Sequence, residues 1–129
     1  MDVNAQDAVC VWVVDDEPVN RALARAILSR AGCRVREFES AGQVMDALSS
    51  EVPMAVVTDI RMPGISGTQL MRLMRSRPDL PSIRYVAYTA HCDPDAAGAL
   101  ESAGFDAVLY KPVTYSQVLQ AVLGDVGEH

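Results

Sequence analysis

The chain predicts an α/β fold in which helices cover both faces of an open, doubly wound parallel sheet. Three observations carry that reading. Five short β-rich apolar runs recur along the 129 residues, five helix-like stretches alternate with them, and the first, third and fifth runs are apolar almost throughout. A strand covered on one face alternates apolar and polar residues, whereas one covered on both faces does not. Half of the residues are hydrophobic and 22% are charged, which suits one compact core and excludes a disordered or fibrous chain.

The first run, Val9 to Val14, leads through Asp15-Asp16-Glu17 to Pro18. A proline in the first turn of a helix sacrifices no hydrogen bond, and Asp16 stands where it could cap that helix. Gly32 can take the left-handed conformation that closes the helix. The second run, Cys33 to Phe38, ends in Glu39 and Ser40-x-x-Gln43, a capping-box pattern in which hydroxyl and amide satisfy orphan N–H groups reciprocally. Met54 to Thr58 is the third run. Ser66-x-x-Gln69 then opens a helix with an expected buried stripe of Leu70, Leu73 and Met74, with Arg72 and Arg75 facing out. Pro78 blocks its extension.

Ile83 to Tyr88 is the fourth run, and Asp93-Pro94 opens the fourth helix, which Gly104 closes. Leu100 is the only large apolar residue of that helix, and Gly98 in its interior costs about 1 kcal/mol relative to alanine. It is expected to be the least firmly docked helix. Ala107 to Tyr110 forms the fifth run, Thr114-x-x-Gln117 caps the last helix and Gly124 ends it. One domain over residues 8–125 follows, with residues 1–7 and 126–129 expected as flexible ends.

Composition removes several classes of function. No apolar run approaches the ~18 residues of a membrane span, so no membrane insertion is expected. The net charge of −6, without a basic stripe, argues against direct nucleic-acid binding. Cys10, Cys33 and Cys92 are widely spaced with no CxxC. They read as reduced, inert thiols of a cytoplasmic protein, neither a zinc site nor a disulfide framework.

In an open α/β sheet the site lies beyond the carboxyl ends of the strands. Strand one closes with Asp15-Asp16-Glu17, strand three with Asp59, strand four with Thr89, and strand five with Lys111-Pro112. Asp16 could be a helix cap or a ligand. Asp59 precedes Arg61-Met62-Pro63-Gly64, which begins no helix, so it caps nothing obvious. Lys111 is the single lysine beside ten arginines, which suggests a site needing a compact point charge. Several carboxylates in one crevice raise one another's pKa, and a hard divalent ion such as Mg²⁺ relieves that repulsion. A carboxylate such as Asp59 can also attack phosphorus and form an aspartyl phosphate, with positive charge neutralising the transferring oxygens.

These residues strongly resemble a known family. Val-Val-Asp15-Asp16-Glu17, Val-Val-Thr-Asp59-Ile-Arg-Met62-Pro63-Gly-Ile-Ser-Gly67, Tyr-Thr89-Ala90 and Lys111-Pro112 look like the receiver domain of two-component response regulators, over about Val9 to Gly124. The resemblance implies a flavodoxin-like (βα)5 fold with strand order 2-1-3-4-5. It makes Asp59 the phosphoacceptor for a histidine kinase or a histidine phosphotransfer protein. Mg²⁺ would be bound by Asp16, Asp59 and the backbone carbonyl of Arg61, with Asp15 acting through water. Lys111 would pair with the phosphoryl oxygens, its bond to Pro112 cis, and Thr89 would swing toward the phosphate beside the small Ala90. Arg61 and His91 fall at positions that tune the lifetime of the phosphate, and an Arg61–Glu17 ion pair is a further expectation.

One departure stands out. Receivers commonly carry an aromatic residue three places before the lysine; this chain has Val108 there and Tyr110 beside Lys111. Switching is therefore expected to work through the fourth helix rather than a threonine–aromatic pair. The start of the first helix and the Lys111-Pro-Val run resemble receivers of hybrid histidine kinases more than those of transcription factors, and the absence of Lys or Arg after Lys111 argues against a charge-paired dimer through the last helix. The output partner is open. An Mg²⁺-dependent phosphatase with an Asp nucleophile is the alternative, but phosphatases resembling haloacid dehalogenases want a second acid where Arg61 stands. A nucleotide- or flavin-binding module lacks its glycine-rich cradle after strand one.

Overall fold

The computed structural model describes residues 9–89, 94–111 and 114–123. Five strands, β1 (Cys10–Val14), β2 (Arg34–Phe38), β3 (Ala55–Asp59), β4 (Arg84–Thr89) and β5 (Ala107–Tyr110), alternate with five helices. The helices are α1 (Pro18–Arg30), α2 (Ala41–Ala47), α3 (Gly67–Arg75), α4 (Pro94–Ala103) and α5 (Tyr115–Leu123). All strand pairs are parallel and their order is β2-β1-β3-β4-β5, as the family resemblance implied. The expected ends, residues 1–7 and 126–129, and the stop at Gly124 lie outside the described residues.

Side-chain alternation along the strands divides the core into two layers. Trp12, Val14, Val56, Tyr85 and Ala87 pack with α2 and α3 through Val44, Leu48, Leu70, Met71 and Met74. Val11, Val13, Val57, Val86, Tyr88 and Leu109 pack on the other face with Ala24 and Leu28 of α1 and Val118, Ala121 and Val122 of α5. Every residue of β1 and β3 is buried, as near-continuous apolar runs require. In β5 only Leu109 is buried, because this strand forms an edge of the sheet. Trp12 is fully buried, its ring centroid 4.8 Å from that of Phe38, with the Arg36 guanidinium over both rings.

The helix signals mostly act as their chemistry dictates. Ser66–Gln69 and Thr114–Gln117 form reciprocal pairs of hydrogen bonds. At Ser40 the hydroxyl accepts from the Gln43 N–H, but the Gln43 amide reaches one residue further back, to the Glu39 N–H. The N-cap of α1 is Glu17 rather than Asp16, with no side-chain cap bond, because Pro18 already fixes the first turn. Asp93 lies outside the described residues. Gly32 and Gly104 take positive φ values of 92° and 128° at their helix ends.

The buried stripe of α3 differs from expectation. Leu70, Met71 and Met74 face the core, whereas Leu73 is 42% exposed beside exposed Ile65. At about 100° per residue, one helical face holds positions i, i+1 and i+4, and Met71 rather than Leu73 falls on that face. Arg75 faces outward yet is bound, donating to the Gly104 carbonyl and to Asp106 and lying over the Tyr85 ring. In α4, Leu100 and Ala103 pack partly buried against the core.

Two glycines mark opposite constraints. A Cβ on Gly67 would overlap the Asp59 carbonyl oxygen and crowd the Ile60 backbone, so α3 can start against the end of β3 only without a side chain there. A Cβ on Gly98 would meet nothing within 4 Å. Gly67→Ala is expected to lose about 2–3 kcal/mol of stability through overpacking against backbone. Gly98→Ala should gain up to about 1 kcal/mol from helix propensity. Urea unfolding of the two variants checks both signs.

Candidate functional site

The alternation that builds the α1/α5 layer also assembles the site. Val13, Val57 and Leu109 point into that layer, and two residues further on the same phase delivers Asp15, Asp59 and Lys111 to the carboxyl edge of β1, β3 and β5. The parallel register sets Asp59 beside Tyr88 and Thr89 beside Tyr110. Gly67 lets α3 close against the Asp59 backbone, where the Gly67 N–H donates to the Ile60 carbonyl at 2.9 Å.

Asp15 is fully buried. Its Oδ1 accepts from the Glu17 N–H at 2.9 Å and its Oδ2 from Lys111 Nζ at 3.1 Å. Its backbone is held as firmly: the N–H donates to the Phe38 carbonyl at 3.1 Å, and Arg21 Nη1 donates to the Asp15 carbonyl at 2.7 Å. Asp59 is only 9% exposed. Its Oδ1 accepts from the Ile60 N–H at 2.8 Å, and its Oδ2 lies 3.7 Å from Lys111 Nζ. The Lys111 backbone is anchored by its N–H, which donates to the Thr89 carbonyl at 2.9 Å.

Asp16 is exposed at the mouth, and carboxylate oxygens of Asp15, Asp16 and Asp59 lie within 4.8 Å of one another. Such a cluster of hard oxygen donors, one face of it open, fits Mg²⁺. Burial raises the pKa of Asp59 most. Lys111 opposes that shift, Asp15 and Asp16 add to it, and the Ile60 N–H works against it.

The structure thus brings together Asp15, Asp16, Asp59 and Lys111. Thr89 is buried at the end of β4, and alternation turns its side chain toward the α2–α4 layer, the face opposite Tyr88. Val108 lies on that same layer, and Tyr110 follows in phase one pleat further along. The Arg61 side chain is exposed, and no Arg61–Glu17 ion pair forms among the described residues. The Glu17 backbone is fixed as the N-cap of α1, and it is Glu37 that faces Arg21, at 3.5 Å. Ala90, His91, Cys92 and Pro112 lie outside the described residues, and Cys10 and Cys33 are free thiols.

Sequence reasoning missed three contributors. Arg21 fastens the Asp15 carbonyl from the first turn of α1, a placement six residues ahead that the Pro18 start could have suggested. Gly67 closes the Asp59 motif in the sequence, but its part, which is spatial and does not depend on φ, emerges only from the close approach of α3 to the Asp59 backbone. Tyr88 carries the Lys111 ammonium over its ring, 4.7 Å from the centroid; its only signal was an aromatic residue directly before Thr89.

Residues 11–123 match the response regulator receiver domain model. The transcriptional regulator NtrC of Escherichia coli, a DNA-binding protein, is 36% identical over 113 residues, covering 87% of this chain and 24% of NtrC. The sensory/regulatory protein RpfC of Xanthomonas campestris is 34% identical over 113 residues, covering 85% of this chain and 15% of RpfC. The chain therefore spans less than a quarter of these relatives, and identity does not separate the DNA-binding transcriptional regulator from the sensory/regulatory protein. Among solved structures, the receiver domain of a histidine kinase from Syntrophus aciditrophicus superposes with a TM-score of 0.77 at 25% identity, covering 95% of each chain. A receiver domain of a Pseudomonas aeruginosa sensor histidine kinase, with magnesium coordinated in its active-site cleft, gives a TM-score of 0.77 at 24% identity, covering 91% of this chain and 98% of that one. No helix among the described residues is long and apolar enough to cross a membrane. An acidic triad suited to Mg²⁺-dependent phosphorylation stands at the carboxyl edge of a 2-1-3-4-5 sheet, and the chain belongs to the response regulator receiver domains of two-component signalling, which accept a phosphoryl group from histidine kinases.

Proposed function

We propose that Asp59 is the phosphoacceptor of this receiver and that Asp15, Asp16, Asp59 and the Arg61 backbone carbonyl hold its Mg²⁺. The observation that carries this reading is the Lys111 ammonium set between the buried Asp15 and Asp59 carboxylates, with Asp16 closing the cluster at its mouth. The metal, when bound, supplies positive charge against the acidic triad and the incoming phosphoryl oxygens.

The chain's own residues do the rest. The Ile60 N–H and Lys111 orient the Asp59 carboxylate, one oxygen of which attacks phosphorus. The P–N bond of the donor phosphohistidine breaks as the new P–O bond forms, and the imidazole nitrogen leaves and takes up a proton. Lys111 neutralises charge on the transferring oxygens. Thr89 responds to the phosphorylated state from the end of β4, with α4 as the moving element. Arg61, at the open side, tunes hydrolysis together with His91 and Ala90. A histidine kinase or phosphotransfer protein is the donor, in the cytoplasm, and residues 8–125 act as one domain.

Two outcomes test this. Incubation with acetyl phosphate should add one phosphoryl group to the intact mass, and the gain should require both Mg²⁺ and Asp59, vanishing in Asp59→Asn. The second outcome concerns stability. Because the folded protein holds the Asp59 proton more tightly than the unfolded chain, ionisation of this group costs stability as pH rises through its raised folded pKa. Below the ordinary value of 3.8 both states are protonated and the cost is absent. In metal-free buffer Asp59→Asn should therefore be more stable than the wild type at pH 7, with the advantage fading toward pH 4. Mg²⁺ at a hundredfold excess over its Kd should stabilise the wild type by about 2.7 kcal/mol and the variant by much less, in thermal unfolding.

A further inference from the structure

We propose that Tyr88 is a positioning residue for the reaction at Asp59: its ring holds the Lys111 ammonium over the acidic cluster independently of the charge state of the carboxylates. The inference rests on the phosphoacceptor reading of Asp59.

Lys111 Nζ touches three groups of different character. It lies 3.1 Å from Asp15 Oδ2, 3.7 Å from Asp59 Oδ2 and 4.7 Å from the centroid of the Tyr88 ring. The two carboxylates are poor anchors during turnover. Phosphorylation moves the charge of Asp59 from its carboxylate onto the phosphoryl oxygens, and Asp15 would share its charge with a bound metal, so the ionic partners of the ammonium change place during turnover. The face of an aromatic ring keeps its negative quadrupole throughout, and a desolvated ammonium within about 6 Å of the centroid is attracted to it. Lys111 has 14% of its side chain exposed and Tyr88 only 2% of its surface, so solvent does little to weaken the contact.

The register makes this arrangement rigid. Tyr88 pairs with Asp59 across β3 and β4, while its neighbour Thr89 accepts the Lys111 N–H, so one dipeptide sets both ends of the lysine. The Tyr88 hydroxyl is buried with no hydrogen-bond partner among the described residues. It therefore adds a desolvation cost that phenylalanine would avoid, while the ring is the part that faces the cation. Burial, followed by the charges of Asp15 and Asp59, raises the Tyr88 pKa and keeps the phenol neutral.

Because Lys111 is the only lysine, its ε-methylene protons give one assignable NMR signal. In the wild type that signal should lie upfield of its random-coil position, shifted by the ring current. It should stay there in Tyr88→Phe and return to random coil in Tyr88→Leu. With acetyl phosphate and Mg²⁺, Tyr88→Leu should gain its phosphoryl group about tenfold more slowly, a factor equivalent to ~1.4 kcal/mol, and Tyr88→Phe should restore the rate. In a Lys111→Met background the Tyr88→Leu change should have no further effect on the rate. Tyr88→Met replaces the leucine variant if the latter fails to fold.

An unshifted wild-type signal overturns the proposal without any variant. A normally labelled wild type with an equally fast Tyr88→Leu overturns the positioning role alone, as does a Tyr88→Leu effect that persists without Lys111. A wild type that takes no phosphoryl group while its ring-current shift is intact overturns the phosphoacceptor reading, and the positioning role with it.

Discussion

Acidic side chains converge where this sheet ends, and a single ammonium answers the two that are buried. Asp15 and Asp59 are almost wholly removed from water, and both would repel the other across the gap between β1 and β3 if Lys111 did not reach between them. The rest of the molecule is arranged around that constraint. β1 and β3 are buried end to end, which fixes the carboxylates in depth. Arg21 and the Phe38 carbonyl hold the Asp15 backbone, and the bare Gly67 lets α3 seal the backbone of Asp59. Even so the compensation is incomplete: burial outweighs the lysine and leaves the Asp59 pKa raised. A site left short of positive charge is one that a divalent cation completes.

The separation of the two core layers matters equally. Alternation sends Asp59, Tyr88 and Lys111 toward α1 and α5, while Thr89, Val108 and Tyr110 continue the phase of the α2–α4 layer. The proposed phosphoacceptor and the proposed responding threonine therefore follow opposite faces of the sheet. Asp59 and Thr89 are joined across the sheet by the β3–β4 register and the single peptide unit between Tyr88 and Thr89. Val108 stands where receivers commonly place an aromatic ring, and the register sets Tyr110 beside Thr89.

Much of this was legible in the sequence because it depends on local rules. Strand runs, helix caps and the polar residue that ends each strand follow from spacing and side-chain chemistry, and they led to Asp15, Asp16, Asp59 and Lys111. What escaped depends on relations between elements. The choice between Met71 and Leu73 turns on the phase at which α3 meets the sheet, which capping does not fix. The partial exposure of β5 reflects its edge position, a matter of strand order. Asp16 sits at the mouth instead of capping α1 because Pro18 shifted the cap to Glu17. Tyr88 became visible only through the β3–β4 register and the path of Lys111 from the far edge of the sheet.

The bonds of Arg75 have a mechanical corollary. This side chain leaves the last turn of α3, binds the Gly104 carbonyl and Asp106, and lies on Tyr85. Asp106 in turn accepts the Tyr85 N–H at 2.8 Å, so the turn after α4 is riveted to both α3 and β4. In the sequence, residues 90–93 separate Thr89 from the opposite end of α4. Arg75 thus ties the C-terminal end of α4 to both α3 and β4. Any displacement of that turn has to break the Arg75 and Asp106 bonds first, so the resistance to moving it resides in side chains of α3 and β4 as much as in α4 itself.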